Sequence, residues 1–195
     1  MSVGALPASG TDQELLEATL AGEESAFLEI YRRYKDQVYR FAYRMTGSPD
    51  SARDVTHNCF VGLLEAPSRY DRQRASLGTY LCAAARNHSL RHASRAWRER
   101  SVAALPALRP TPGPSPLETL LEDERASVVR EALSALAPLH REVLILAEYE
   151  DLDLARIAQI VGAEVGAVKV RLHRARKKLR AALEAHVRSA AVAAE

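Results

Sequence analysis

The sequence predicts an all-α protein made of two small helical domains joined by a proline-rich linker. Apolar residues recur three and four positions apart through most of the 195-residue chain, which is the period of an amphipathic helix. No segment of any length shows the strict alternation of a half-buried strand. Five of the nine prolines lie in residues 106–116, where each ring fixes a backbone dihedral and removes an amide donor. This segment should therefore be an extended linker.

Start and stop residues divide the N-terminal domain into four helices, the second with an apolar stripe from Phe27 to Met45. Serine and aspartate accept hydrogen bonds from free amides at a helix start, proline suits the first turn, and glycine permits a left-handed end. The predicted start residues are Asp12, Ser48 with Pro49, and Ser76. The predicted stop residues are Gly22, Gly47 and Pro67.

The C-terminal domain contains a helix-turn-helix pattern. Pro138 begins an apolar helix, and Asp153 is a good N-cap for a short helix that follows it. Gly162 supplies a left-handed stop, and a long basic helix comes directly after it. A short helix, a tight glycine turn and a second, basic helix are typical of DNA-binding domains.

Positive charge is concentrated in two blocks, although the net charge of the chain is only +2. Residues 69–100 contain eight Arg or Lys and two acids, and residues 164–188 contain the same numbers. Residues 117–153, between the blocks, contain three Arg and ten acids. Two basic blocks separated by an acidic one indicate two contacts with a polyanion and a stretch that is kept away from it.

The last helix has one apolar and one cationic side on a wheel of 100° per residue. The predicted buried stripe is Val165, Val168, Leu172, Ala175, Leu179 and Leu183. The opposite side carries Gly166, Val170, His173, Arg174 and Lys177, flanked by Lys169, Arg176 and Arg180 on one edge and Arg171 and Lys178 on the other. A helix that is merely solvated usually carries charges of both signs, which pair with each other. The positive charges of this helix have few acidic neighbours and repel one another, so they favour binding to a polyanion. We therefore predict that the helix lies in the major groove of DNA.

Two long segments resemble the extracytoplasmic-function (ECF) sigma factors of bacterial RNA polymerase. The segment "ALSALAPLHREVLILAEYEDLDLARIAQIVGAEVGAVKVRLHRARKKLRAAL" is similar to region 4 of that family. The segments "SAFLEIYRRYKDQVYRFAYRMTGSPDSARDVTHNCFVGLL" and "LGTYLCAAARNHSLRHASR" are similar to region 2. The resemblance covers residues 12–98 and 118–186. Two modules in the right order are far more specific than a lone helix-turn-helix.

The resemblance implies a domain map and a function without catalysis. The map is a flexible N-terminus at 1–11, region 2 at 12–100, the linker at 101–117, region 4 at 118–186 and a C-terminal tail at 187–195. The protein would be a cytoplasmic, non-enzymatic subunit that binds core RNA polymerase through its clamp helices and flap. It would recognise the −35 and −10 promoter elements, need no cofactor or metal, and be held inactive by an anti-sigma protein.

The resemblance also assigns roles to individual residues. The −35 contacts would come from the last helix: Val165, Gly166, Lys169, Val170, Arg171, His173, Arg174, Arg176 and Lys177, the last two partly facing the flap. The −10 and melting surface would be Arg69, Tyr70, Arg72, Arg74, Arg86, Asn87, Arg91 and Arg95. The clamp contacts would be Asp50, Arg53, Asp54, His57 and Asn58. Tyr70 and Tyr80 could stack on bases or pack in the core, and the apolar stripe around Tyr80 favours packing.

Several positions depart from the family pattern, which indicates a divergent member with an unusual base preference. The departures are Arg53 for an acid, His57 for Gln, Tyr80 for Trp, Arg91 for Asp, Arg156 for Glu, Glu164 for Ser or Thr, and Ala167 for Thr. Arg156 deprives Asp153 of a capping-box partner. Glu164 suits the helix dipole but not a neighbouring phosphate.

Two other functions stay open on the sequence alone. A stand-alone helix-turn-helix regulator would explain the C-terminal domain but leave the Arg-rich N-terminal helices without a role. A sigma-like adaptor that titrates a protein partner would explain the many departures.

Cys59 and Cys82 lack metal-ligand spacing and should be reduced core thiols. No apolar run reaches membrane-spanning length, so no membrane insertion is expected.

Overall fold

The computed structural model describes residues 10–102 and 118–193, so most of the predicted linker and residues 1–9, 194 and 195 lie outside the described residues. Within those ranges the chain forms α-helices and one 3₁₀ turn, and no strand occurs among the residues described. The helices are α1 (Asp12–Leu20), α2 (Glu24–Thr46), α3 (Pro49–Glu65), α4 (Leu77–Val102), α5 (Glu118–Ser134), α6 (Pro138–Glu148), α7 (Leu154–Val161) and α8 (Val165–Ala193). The 3₁₀ turn, Pro67–Arg69, lies between α3 and α4. The predicted all-α class is confirmed.

The predicted cap of α1 is wrong by one residue. Thr11 is the N-cap: its hydroxyl accepts the Glu14 amide at 3.3 Å, and the Glu14 carboxylate accepts the Thr11 amide at 2.8 Å. Asp12 is instead the first helical residue, and its carboxylate accepts a hydrogen bond from the Tyr34 hydroxyl of α2. The reciprocal capping box satisfies two amides, whereas Asp12 on its own could have satisfied one.

The other predicted helix signals are confirmed. Ser48, Ser76 and Asp153 each accept the backbone amide three residues further on, at 3.3, 3.2 and 2.8 Å. Gly47 and Gly162 end α2 and α7 in the left-handed region, with φ of 72° and 64°. These ends fix the turns between α2 and α3 and between α7 and α8, because an L side chain is strained at such angles.

The N-terminal domain is a bundle in which α2 packs against α1, α3 and α4. Phe41, Met45, Leu63 and Leu81 are fully buried in its core. In the C-terminal domain α6 and α7 pack against α8, and their contact buries apolar residues that include Leu144, Ile157 and Val168.

The two domains contact each other directly. Helix α6 packs against α2 and α4, and α7 packs against α4. The buried apolar residues of the two domains form one continuous cluster. The structure is therefore a closed arrangement of the two domains.

Helix α8 differs from its prediction at both ends. Val165 was expected in the buried stripe, but 45% of its surface is exposed at the first position of the helix. Val168, Leu172 and Ala175 are buried as predicted. The helix continues through residues 187–193, so much of the predicted C-terminal tail is helical. None of the described helices is both long and apolar enough to cross a membrane.

Cys59 and Cys82 are free, buried thiols on α3 and α4. Burial raises the pKa of each thiol to about 12. Because the thiolate is the reactive form, both thiols are protected twice over, by low accessibility and by protonation. We expect no reaction of the native protein with Ellman's reagent at pH 8, and two reactive thiols per chain after unfolding in guanidinium. Reaction of either thiol in the native state would contradict the packing of α3 against α4.

Candidate nucleic-acid interface

Helices α7 and α8 form the predicted helix-turn-helix. Ile157, Ala158 and Val161 bury one side of α7, and α8 crosses it with Val168 and Leu172 inward. The side chain of Asp153 caps α7 through the Arg156 amide, so the cap persists without the acid that Arg156 replaces. The turn at Gly162 then presents the opposite side of α8 to solvent.

The outer side of α8 is exposed along the predicted reading residues. The exposed members are Val165, Gly166, Lys169, Val170, His173, Arg174, Arg176 and Lys177. Val170, in the second turn of α8, is 50% exposed and so presents an apolar group on this surface. Arg176 donates to the Glu148 carboxylate of α6 at 2.6 Å, although its side chain remains 60% exposed. This surface combines cations with small apolar groups, as a major-groove contact requires.

Arg171 is placed differently from the other predicted reading residues. Its side chain is only 27% exposed, and Nη1 donates to Oε1 of Glu142 at 3.2 Å. Glu142 lies on α6 and has no exposed surface. Arg171 therefore turns inward, and its guanidinium compensates a buried charge.

Glu142 also binds the N-terminal domain. Arg86 of α4 donates from Nε to Oε2 at 2.8 Å and from Nη2 to Oε1 at 3.3 Å, the two-pronged geometry that suits a guanidinium and a carboxylate. Burial raises the pKa of Glu142, and the charges and hydrogen bonds of Arg86 and Arg171 oppose that rise. We call Arg86, Glu142 and Arg171 the Glu142 cluster. It brings one predicted −10 residue and one predicted −35 residue onto the same carboxylate.

Arg141, the neighbour of Glu142, makes a second contact between the domains. It is 3% exposed, and its guanidinium donates to the backbone carbonyl of Met45 near the end of α2. It also donates to the carbonyls of Ser134 and Leu136, the latter at 3.1 Å. A cation at the carboxyl end of a helix interacts favourably with its dipole and its free carbonyls.

The segment between α3 and α4 carries three arginines. Arg69, Arg72 and Arg74 are exposed. Tyr70 and Tyr80 lie edge to face with ring centroids 5.4 Å apart, and both pack against the hydrophobic core. Core packing is thus the role that the structure supports for these two rings. The loop keeps its cationic side chains outside.

The predicted DNA contacts on α4 differ in their exposure. Asn87 and Arg91 are exposed, whereas Arg86 is engaged by Glu142. The side chain of Arg95 lies outside the described part of the chain.

One side of α3 presents the five predicted clamp residues. Asp50, Arg53, Asp54, His57 and Asn58 are all exposed. Arg53 pairs with Asp50 one turn before it. Arg53 therefore neutralises an acid on this surface. In the described ranges, no group of three or more His, Cys, Asp or Glu could hold a metal ion.

Comparison with known families matches both halves of the chain. The family model "Sigma-70 region 2" matches residues 30–99, and "Sigma-70, region 4" matches residues 117–179. The ECF RNA polymerase sigma factor BldN of Streptomyces coelicolor is 30% identical over 89% of this chain and 67% of its own length. The RNA polymerase sigma factor CarQ of Myxococcus xanthus is 30% identical over 82% of this chain and 90% of its own.

The chain belongs to the ECF sigma factors. Solved structures agree on the fold. CnrH in complex with the cytosolic domain of CnrY has a TM-score of 0.65 at 23% identity, over 89% of this chain and 97% of that one. RpoE in complex with the anti-sigma factor NepR from Bartonella quintana has a TM-score of 0.62 at 20% identity, over 81% and 96%.

Family membership confirms the predicted non-enzymatic role in transcription initiation. It also decides against the stand-alone regulator, because residues 30–99 match region 2 beside the helix-turn-helix. Sequence reasoning missed Arg141 and Glu142 as interdomain residues. The signal was present: two adjacent charges interrupt α6, whose neighbouring positions from Val143 to Leu146 are all apolar and buried.

The inward position of Arg171 predicts a loss of stability on substitution. Arg171→Ala removes one of the two partners of a fully buried carboxylate and should lower the free energy of unfolding by about 1–3 kcal/mol. Lys169→Ala, on the exposed side of the same helix, should change it by less than about 0.5 kcal/mol. Urea denaturation followed by circular dichroism measures both. Equal stability of the two variants would show that the Arg171–Glu142 bond contributes nothing in solution.

Proposed function

We propose that this ECF sigma factor reads the −35 element through the exposed side of α8 and engages the −10 element through the loop before α4 and the face of α4 itself. The observation that carries this proposal is the line of exposed cations on α8 opposite a buried apolar stripe. In that arrangement the cations meet phosphates, and the small side chains between them approach the base edges.

On α8, Lys169 and Arg174 are the proposed base contacts with the longest reach. Both are exposed, and both side chains are cationic donors that suit the acceptors of guanine in the major groove. Val165, Val170 and Gly166 let the helix approach closely, and the valines offer apolar contact to a thymine methyl group. His173 borders this surface. Arg176 and Lys177 contact phosphate or the polymerase flap.

In region 2 the loop cations form a track for the opened strand. Unstacking a base costs a few kcal/mol, so an opened strand needs compensating contacts along its backbone. Arg69, Arg72 and Arg74 supply charge at the loop, and Asn87 and Arg91 continue the track along α4. Arg86 and Arg95 complete the proposed set.

The clamp contact is proposed for the polar side of α3, where Asp54, His57 and Asn58 are free of the core. Because Arg53 already pairs with Asp50, the contact with the clamp helices would depend most on Asp54. The family and this polymerase contact imply that the protein works in the cytoplasm.

An anti-sigma protein is the proposed inhibitor. The relative RpoE was solved in complex with the anti-sigma factor NepR, and CnrH was solved with the cytosolic domain of CnrY. For this chain, an inhibitor of that kind would have to cover surfaces that the closed arrangement leaves open, such as the α3 face and the outer side of α8.

The proposal predicts promoter-specific transcription with core polymerase. Genomic in vitro transcription with sequenced transcript starts should give discrete starts that share two upstream elements. Lys169→Ala combined with Arg174→Ala should reduce those transcripts about tenfold or more, because each good base contact is worth about 1–3 kcal/mol. Arg32→Ala is the matched control, since Arg32 is exposed on α2 and pairs with Glu29 of its own helix.

Core polymerase that gives no new starts with the wild-type protein would overturn the proposal. Starts that are equally strong with the double variant would overturn the assignment to α8 and leave the polymerase contact in place.

A further inference from the structure

We propose that His140, at the start of α6, takes up a proton when α8 binds duplex DNA, so that this surface binds DNA more tightly as the pH falls. The coupling rests on the proposed function in one respect, because it requires that the outer side of α8 contacts DNA. His140 itself is not among the proposed base or phosphate contacts. Its position beside a cleft at the edge of that surface links it to DNA binding.

The cleft, of about 490 Å³, lies between the first turn of α6 and α8. Leu139 and His140 line it on the α6 side, and its α8 side includes Val170 and Arg174, which belong to the exposed reading surface. Leu139 and Val170 are each 50% exposed, so the cleft opens to solvent on the side that would meet DNA. A duplex that covers Val170 and Arg174 therefore also covers the opening of the cleft.

The imidazole of His140 lies in a field of positive charge. Partial burial lowers the pKa of this imidazole, and three cations of α8 lower it further. These cations are Lys178, Arg171 and Arg174. The acid of α6 that lies two positions further on, Glu142, is already compensated by two guanidinium groups. The imidazole is therefore uncharged at neutral pH in the free protein.

Bound DNA would weaken this field. Phosphates placed against Arg174 and Lys178 offset their charges, and a phosphate oxygen accepts a hydrogen bond from a protonated imidazole. Within the described ranges, the buried Nδ1 atom of His140 has no hydrogen-bond partner. No hydrogen bond to that atom thus fixes the ring in one protonation state, and the surrounding charge decides which state it takes.

The direction of the pH dependence follows from linkage. The cations hold the pKa of His140 below its ordinary value in the free protein, and neighbouring phosphates raise it again. Between the free and the bound pKa, the complex holds more protons than the free protein. Protons and DNA then strengthen each other's binding, so the affinity for DNA rises as the pH falls through this interval.

The experiment measures the affinity of the full-length protein for a mixed-sequence duplex of about two helical turns. Fluorescence anisotropy at constant ionic strength gives this affinity at about pH 6 and about pH 8, on either side of the ordinary pKa of histidine. His140→Gln removes the titrating group and keeps a polar side chain. His173→Gln removes the histidine of the reading surface, and His186→Gln is the matched control, exposed on the far half of α8.

A second measurement follows the protonation of His140 directly in the wild-type protein. Proton NMR of the imidazole rings gives the pH midpoint of each histidine, and the spectrum of His140→Gln identifies the resonance that belongs to His140. The midpoint is compared in the free protein, with the duplex, and with sodium sulfate at the same ionic strength. Sulfate is a free anion with the tetrahedral shape of phosphate, so it separates a general anion effect from DNA binding.

We expect the wild type to bind the duplex about threefold or more tightly at the lower pH, since uptake of one proton changes an affinity by at most about tenfold per pH unit. His140→Gln should lose most of this ratio, whereas His173→Gln and His186→Gln should keep most of it. The midpoint of His140 should rise with the duplex and stay near its free value in sulfate.

A midpoint of His140 that does not move with the duplex would overturn the coupling. An equal affinity ratio in the wild type and His140→Gln would do the same, and an equal shift in sulfate would overturn the assignment to DNA. A duplex that binds at neither pH would overturn the coupling together with the contact of α8. Transcription with core polymerase at one fixed pH tests the proposed function separately, because it does not require a change in the protonation of His140.

Discussion

Two adjacent charges on α6, Arg141 and Glu142, are the constraint on which the arrangement of the two regions depends. A protein interior accepts a charge only with a partner of opposite sign or with strong hydrogen bonds. Arg141 meets this requirement with backbone carbonyls, and Glu142 meets it with two guanidinium groups. Some of these partners, Arg86 and the Met45 carbonyl, belong to region 2. The charges of Arg141 and Glu142 therefore have these partners only when region 2 lies against α6. The position of the two regions follows from the need to compensate these charges.

The same requirement separates two roles among the arginines of α8. Arg174 and Lys169 face water, where their charges repel one another and favour an external polyanion. Arg171 lies one turn from Arg174 along the helix but faces Glu142, so it stabilises the fold. A cationic helix of this kind is both a structural element and a binding surface, and burial decides which role each residue has.

Local signals in the sequence predicted most of the fold. Gly47, Gly162, Ser48 and Asp153 act within three or four residues of the chain, and the structure confirms each. The Asp12 prediction failed because the preceding residue, Thr11, forms a capping box with Glu14, and the sequence analysis did not consider that pair. The charged pair in α6 was visible in the sequence, but the partners of Glu142 could not be predicted, because Arg86 lies 56 positions from Glu142 and a helical period carries no information about such distant partners. The family resemblance predicted the function. It assigned Arg86 and Arg171 to DNA contacts and gave no indication that both bind the Glu142 carboxylate.

A double-mutant cycle on Arg86 and Glu142 tests the central claim most directly. The free energies of unfolding of the wild type, Arg86→Ala, Glu142→Gln and the double variant would be measured by urea denaturation. The two residues lie in different regions, so any coupling between them requires that the regions meet in solution. We expect a coupling free energy of about 1 kcal/mol or more, within the range measured for residues of one ion-pair network. Additive effects, with a coupling below about 0.3–0.5 kcal/mol, would contradict the closed arrangement.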